Sequence, residues 1–192
     1  MSAGAIDRAP SLWSGDQPVT VEPISRTDAG RLLIDWEHQL GTCDRPFGQD
    51  HWLMLVAGQP TALAVSASIV SPTLRDETDQ EWPRKQALEL ARIAHHPDAW
   101  WSMRVMLRLW REALVPQWEH WTPGLLASYS LPGKTGDLYR FDGWTFVRWT
   151  KPSRPGPGST WSKPSRSDAV ANGRKGLWVY HRSPLTREDN PR

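Results

Sequence analysis

The chain holds a single cysteine, Cys43, in 192 residues. No intrachain disulfide can form, which points to a reducing compartment and leaves stability to the core. No apolar run approaches the roughly 20 residues of a membrane-spanning helix. Met1–Gln17 also lacks the apolar stretch of a secretory signal. A soluble, cytoplasmic protein with no membrane partner is therefore expected. Net charge is low, at +2, too little by itself to imply a polyanionic partner. There is no Walker loop, no ordered Ser-His-Asp set and no paired-cysteine motif. His38, Cys43, Asp44, Asp50 and His51 lie close in sequence, but their spacing matches no zinc pattern. His95 and His96 adjoin, and neighbours diverge on a strand; no metal is expected.

What the chain does have is tryptophan: 13 residues, beside only three Phe and three Tyr. Indoles suit cores, pocket walls and base-stacking surfaces alike, so the excess does not choose among them. Apolar residues make up 39% and charged residues 23%, enough for one lean core. The length fits one domain with extra tail. Residues 1–18 read as a flexible lead, 19–150 as the folded domain and 151–192 as a basic, Pro- and Trp-containing tail with an edge strand at 177–180. From Arg148 to Arg182 eight basic residues face one acid, Asp168. Arg148, Lys151, Arg154, Lys163 and Arg166 are candidates to touch nucleic-acid phosphates; a solvated arm accounts for them equally well.

Local patterns give an order of elements. Val19–Ile24 alternates as a first strand, and Ser25-Arg26-Thr27-Asp28 opens a helix whose face is Ala29, Leu32, Leu33 and Trp36. Gly41 ends it. His51–Val56 and Ala62–Val70 form a hairpin across Ala57-Gly58-Gln59-Pro60. Pro72–Arg84 is a polar loop. Ala87–Ala94 is a strand. The helix marked by Met103, Met106, Leu107, Trp110 and Leu114 stops before Pro116, and Gly124–Leu131 is the next strand. Strand, helix and strand over this span make a crossover with a parallel pair. A short helix then carries Tyr139, Gly143 stops it, and Trp144–Trp149 returns as a strand. The fold class is α/β.

That order, with Tyr139-x-x-x-Gly143-Trp144, resembles the GNAT superfamily of acyl-CoA-dependent N-acyltransferases from about Val19 to Trp149. The resemblance implies a mixed, mostly antiparallel central sheet flanked by helices, with a parallel pair at the cofactor cleft. It also implies acetyl-CoA or another acyl-CoA as cofactor and an amine as acceptor. Glu89-Leu90-Ala91-Arg92-Ile93, Ser128-Tyr129-Ser130, and Gly133 and Gly136 ahead of Tyr139 further resemble phage and plasmid GNAT-like proteins, including the Mom proteins that modify DNA bases against restriction. A DNA base is then an alternative acceptor, and a non-catalytic nucleic-acid-binding protein of the same fold is a second alternative. The chain departs from the superfamily at His95–Ser102, where a glycine-rich turn ordinarily precedes the cofactor helix and no glycine stands here. Glycines let backbone N–H groups approach a pyrophosphate closely.

Acyl transfer needs a base to leave the amine neutral, a donor for the oxyanion and an acid for the departing thiolate. The resemblance implies that Tyr139 is that acid; the alternative is a core tyrosine capped by a carbonyl. Glu89, amid apolar residues, is a candidate base if burial lifts its pKa, or else one half of an ion pair with Arg92 or another cation. Ser128 and Ser130 end a strand, where a hydroxyl serves the acceptor or thioester, or simply marks the strand end. The backbone at Arg92, Ile93 and Ala94 would hold a pantetheine arm in the family's manner. Trp101 and Ser102 open the next helix, where Ser102 suits a phosphate or merely caps the helix.

Overall fold

A computed structural model describes residues 17–45, 48–151 and 173–182. The elements are β1 (Val19–Pro23), α1 (Arg26–Asp35), β2 (Gln49–Val56), β3 (Gln59–Ala67), β4 (Thr73–Arg75), β5 (Glu81–Pro83), β6 (Ala87–His95), α2 (Ser102–Leu109), β7 (Leu125–Ser130), α3 (Asp137–Arg140), β8 (Thr145–Trp149) and β9 (Gly176–His181). Ser25 caps α1, its hydroxyl accepting from the Asp28 N–H. Ala57 and Gly58, with φ of 50° and 75°, turn β2 into β3 through a two-residue hairpin of the kind that matches strand twist.

Seven strands form one sheet in the order β1-β2-β3-β6-β7-β9-β8. Every pairing is antiparallel except β6 with β7. The expected mixed α/β sheet with one parallel pair is therefore present. One face packs on α2 and α3: Leu88, Leu90, Leu126, Met106, Leu107, Trp110, Tyr139, Trp144 and Trp178 form a single core. The other face meets α1 through Ala29, Leu33, Leu63, Val65 and Ala91. Further along that face, Leu74 and Trp82 of the β4–β5 hairpin cover Ala87, Leu125, Ala127 and Val179. Tryptophan thus goes mainly to the α2 core, while Trp100 and Trp149 stay exposed.

Three sequence expectations need correction. The strand at 177–180 is not an edge: β9 lies between β7 and β8, and β8 is the outer strand. The edge reading fails because the chain returns from residues 152–172, outside the described set, to fill an inner position. Its residues are correspondingly apolar and buried on both faces. Pro72–Arg84 is not only loop, since Thr73–Arg75 pairs with Glu81–Pro83. The helix does not stop before Pro116. It widens into a π-helical stretch at Trp110–Leu114 and tightens to a 3₁₀ turn at Val115–Gln117 that contains the proline. A proline is tolerated in the first turn of such a segment.

Candidate active site

β6 and β7 run together only from Ala87↔Leu125 to Leu90↔Ser128 and then part. Beyond Leu90 no described strand pairs with β6 on that side, although β6 continues to His95. On its other side β6 carries a bulge: Val65 faces Arg92 and Ser66 faces Leu90, leaving Ala91 unmatched. Bulges bend a strand and re-aim its side chains. The bend and the parting open a wedge at the centre of the sheet.

Tyr139 stands at this wedge on the α2 face. Its hydroxyl lies 2.8 Å from Ser128 Oγ, and Ser128 Oγ donates to the Leu90 carbonyl at 3.0 Å. A serine has one proton, so with that proton on Leu90 the phenol donates to the serine. The phenol, the serine and the last paired carbonyl of β6 therefore form one chain of hydrogen bonds across the point of parting. Burial pushes the Tyr139 pKa up to about 12, with Ser128 opposing. The ring packs edge-on to Trp144 at 5.5 Å and stacks on Trp178 at 5.9 Å.

Tyr139 is held from behind. α3 is one turn long, and Asp142, two residues past its end, is buried. Arg111 donates to the Asp142 carboxylate at 2.7 Å and to its carbonyl at 2.6 Å, and the Trp144 indole N–H donates to the same carboxylate at 3.2 Å. Arg111 belongs to the π-helical stretch, where the widened turn re-aims side chains. Gly136 precedes α3 with φ of 77°, and a Cβ there would run into the Trp178 indole; only glycine lets the turn close on that ring.

Glu89 lies on the opposite face. Its neighbours Leu88 and Leu90 both pack into the α2 core, and alternation along a strand turns Glu89 the other way. Its side chain is 3% exposed and its Oε1 accepts from Arg45 at 2.6 Å. Among the described residues no group hydrogen-bonds Oε2. Burial pushes the carboxyl pKa up, opposed by Arg45, Arg92 and Lys175. Tyr129 stands nearby; burial, then the Glu89 charge, raise its pKa.

Arg92 spends its guanidinium elsewhere, donating to the carbonyls of Gly41 and Thr42 at 3.1 Å each and of Ala91 at 2.6 Å. It clamps the loop after α1 onto the sheet. His38, in that loop, accepts from the Leu40 N–H at 3.3 Å and bonds the backbone of Ile93; burial and Arg92 lower its pKa to about 4, so it is neutral at pH 7. Ile93 and Ala94 line the wedge from β6, Ile93 on the α2 core and Ala94 on the α1 core.

Trp101 and Ser102 do open α2, but Ser102 is fully buried and its one hydroxyl proton lies between the carbonyls of Ala99 at 2.6 Å and Thr61 at 3.2 Å. It faces the core and cannot meet a phosphate, which corrects that expectation. Arg148 and Lys151 are exposed at the outer strand, and Arg148 donates to the Arg75 carbonyl at 3.2 Å. Arg154, Lys163 and Arg166 lie outside the described residues. Sequence reasoning missed Arg45, Arg111 and Asp142, whose partners are 31 to 44 positions away; nothing local marks them. It also missed Asp76, Glu77 and His181, whose ligand atoms lie within 4.8 Å of one another. There the Asp76 carboxylate already accepts from Thr78, Gln80 and Trp82, and the group braces β5 against β9. No described helix is long and apolar enough to cross a membrane.

No protein-family profile matches the chain. No curated protein matches it either. Solved structures do. The ribosomal-protein-S18-alanine N-acetyltransferase from Escherichia coli superposes with a TM-score of 0.54 at 12% identity, over 88% of this chain and 97% of that one. The fold is that of the GNAT acetyltransferases. yncA from Salmonella typhimurium, solved with its cofactor acetyl-CoA, gives 0.52 at 12% identity over 91% and 98% of the two chains. GphF, a GNAT-like decarboxylase solved with isobutyryl-CoA, gives 0.52 at 12% identity over 84% and 98%. One fold thus carries more than one reaction, and the reaction must be read from the site.

Acyl-CoA is a testable fit for the wedge. The unpaired side of β6 past Leu90 suits an extended, amide-bearing arm, though such an arm must share Ile93 with His38. The turn before α2 has two of its amides already engaged. The Asp98 N–H goes to His96 Nδ1 and the Ala99 N–H to the His96 carbonyl.

Proposed function

We propose that this protein transfers an acyl group from acyl-CoA to an amine. The observation that carries the reading is the Tyr139–Ser128–Leu90 chain of hydrogen bonds at the parting of β6 and β7. A thioester bound in the wedge supplies an electrophilic carbonyl and a thiolate leaving group. Glu89 takes the proton that the amine sheds. It is buried, its pKa is raised, and one oxygen is unsatisfied. Tyr139 gives a proton to the departing sulfur. With a pKa of about 12 against roughly 8.5 for an ordinary thiol, the phenol is the weaker acid. It therefore hydrogen-bonds the developing thiolate first, and full transfer needs its phenolate stabilised. Ser128 can do this by turning its O–H from the Leu90 carbonyl to the phenolate. Ser128 thereby serves Tyr139 rather than the acceptor.

The test is acyl transfer from acetyl-CoA to a panel of amines, followed by thiol release and mass spectrometry. Tyr139→Phe should fold normally and lose about 100-fold or more in turnover, within the range of general acid catalysis. Full activity in that variant would remove Tyr139 from the mechanism.

A second reading, Mom-like modification of a DNA base, draws on the outer strand. Phe146 and Trp149 are exposed there beside Arg148 and Lys151, a mixture that suits stacking and phosphate contact. Nucleosides from cells expressing the chain should then carry an added mass. An unmodified profile together with salt-dependent DNA binding would favour a non-catalytic DNA-binding role instead.

A further inference from the structure

We propose that Arg104 and Arg140, with Phe141 between them, hold the phosphorylated, adenine-bearing end of acyl-CoA, and that this side-chain site replaces the missing glycine turn. The inference rests on the acyl-CoA reading above. It starts from a disagreement within the fold. The turn that should receive a pyrophosphate closes on itself: His96 takes the N–H groups of Asp98 and Ala99, and the nearby Ser102 hydroxyl is buried against carbonyls. Two amides of the turn are thereby spent within it, and no glycine eases a close backbone approach to a phosphate there. If a nucleotide-bearing thioester binds, its anionic end must be held by side chains.

Such side chains converge beside the turn. Arg104 lies in the first turn of α2, and its guanidinium sits 6.0 Å from the centre of the Phe141 ring. Arg140 ends α3, with its guanidinium 4.8 Å from the same ring. Arg104 also donates to the Phe141 carbonyl at 3.4 Å, which ties the start of α2 to the end of α3. Phe141 itself is 59% exposed. A large ring held out in water between two guanidinium groups contributes little to the core. It offers a flat face to a purine, while each guanidinium matches a phosphate through paired N–H donors. Arg108, one turn further along α2, turns instead to the buried Asp142 at 3.6 Å.

The acids nearby do not cancel it. Asp137 pairs with Arg140 at 2.7 Å through one guanidinium nitrogen, and the Arg140 side chain stays largely solvated, which keeps such a pair weak. Asp142 is buried and committed to Arg111 and Arg108. Asp98 is almost fully exposed beside His96. CoA carries a pyrophosphate, a 3′-phosphate and an adenine at the end remote from its thioester, and these are the groups this surface recognises. A pantetheine thioester lacking the nucleotide would gain nothing from it.

The experiment is calorimetric titration of the full chain with CoA, 3′-dephospho-CoA and pantetheine, on wild type and on Arg104→Glu/Arg140→Glu. Wild type should bind CoA at least about tenfold more tightly than pantetheine, and the double variant should bring CoA down to the pantetheine level, with pantetheine binding unchanged. Phe141→Ala should weaken CoA by a smaller factor. If the double variant unfolds by circular dichroism, Arg104→Gln and Arg140→Gln singly carry the same test. Wild-type CoA binding that survives these substitutions overturns this inference and leaves the acyl-CoA reading standing. No CoA binding by wild type overturns that reading itself, and with it the role of this surface. Equal binding of CoA and pantetheine by wild type points to a carrier-bound acyl donor and overturns the inference.

Discussion

On the α1 face of the wedge, a carboxylate is buried against an arginine; on the α2 face, a phenol is buried against two indoles. Burial acts on both groups in the same direction, since it penalises whichever form is charged. It raises the pKa of Glu89 and that of Tyr139. The consequences for the proton are opposite. A carboxylate with a raised pKa becomes a better base, whereas a phenol with a raised pKa keeps its proton until a stronger base pulls on it. One sheet thus sets a buried carboxylate and a buried phenol on its two faces, the arrangement that the proposed acyl transfer uses as acceptor and donor of the proton. The faces also differ in satisfaction: Tyr139 completes a hydrogen-bond chain, while one Glu89 oxygen has no partner among the described residues.

The sharpest way to break this contrast is Glu89→Gln, which keeps an acceptor for Arg45 and removes the base. Turnover should fall by about 10²–10⁴. The wild-type rate should rise with pH through a limb lying above the ordinary carboxylate range, and the variant should lose that limb. A variant with wild-type rates would leave Glu89 a structural ion-pair partner. Because its folded pKa is raised, the stability linked to Glu89 is fully present below the unfolded value of about 4.3 and declines as pH rises through the folded value. Thermal melts of wild type and Glu89→Gln across that range check the sign.

Next in size is Arg45→Ala, which leaves a buried carboxylate with no paired cation at hydrogen-bond distance. About 3 kcal/mol of stability should be lost. That corresponds to a drop in Tm of roughly 6–12 °C for a domain of this size. Adding Glu89→Gln to Arg45→Ala should recover part of the loss, and additive losses in the double-mutant cycle would deny the pair. On the other face, Asp142→Asn should cost about 2 kcal/mol, because it weakens two charge-assisted bonds behind Tyr139. The near-ultraviolet dichroism of the surrounding tryptophans should change with it; an unchanged spectrum would show that Arg111 and Asp142 do not set the ring. Smallest in stability is Tyr139→Phe, at about 1 kcal/mol or less, since Ser128 keeps its bond to Leu90. A much larger loss in a denaturant titration would mean that the phenol serves the core more than the chemistry.

Patterns of short range were legible in the chain. The Ser25 cap, the Ala57-Gly58 reversal, the apolar strand around Glu89 and the glycine-flanked helix of Tyr139 all follow from neighbours within a few residues. The β-α-β order between Ala87 and Ser130 was enough to expect the one parallel pair, because such a crossover returns its strand in the same direction. What failed was long-range. Nothing near Leu177 announces that β9 inserts between β7 and β8, since an inner strand and an apolar edge strand read alike until pairing is known. Nothing near Ser102 says that its hydroxyl turns inward.

By itself the sequence determined the element types, the class of sheet and the two residues at its wedge, because capping, turn chemistry and hydrophobic period act locally. Only the tertiary structure decided which face each residue serves. Glu89 met Arg45, Tyr139 met Ser128, and the turn at His96 closed on its own amides through contacts whose partners are set by packing rather than by spacing along the chain.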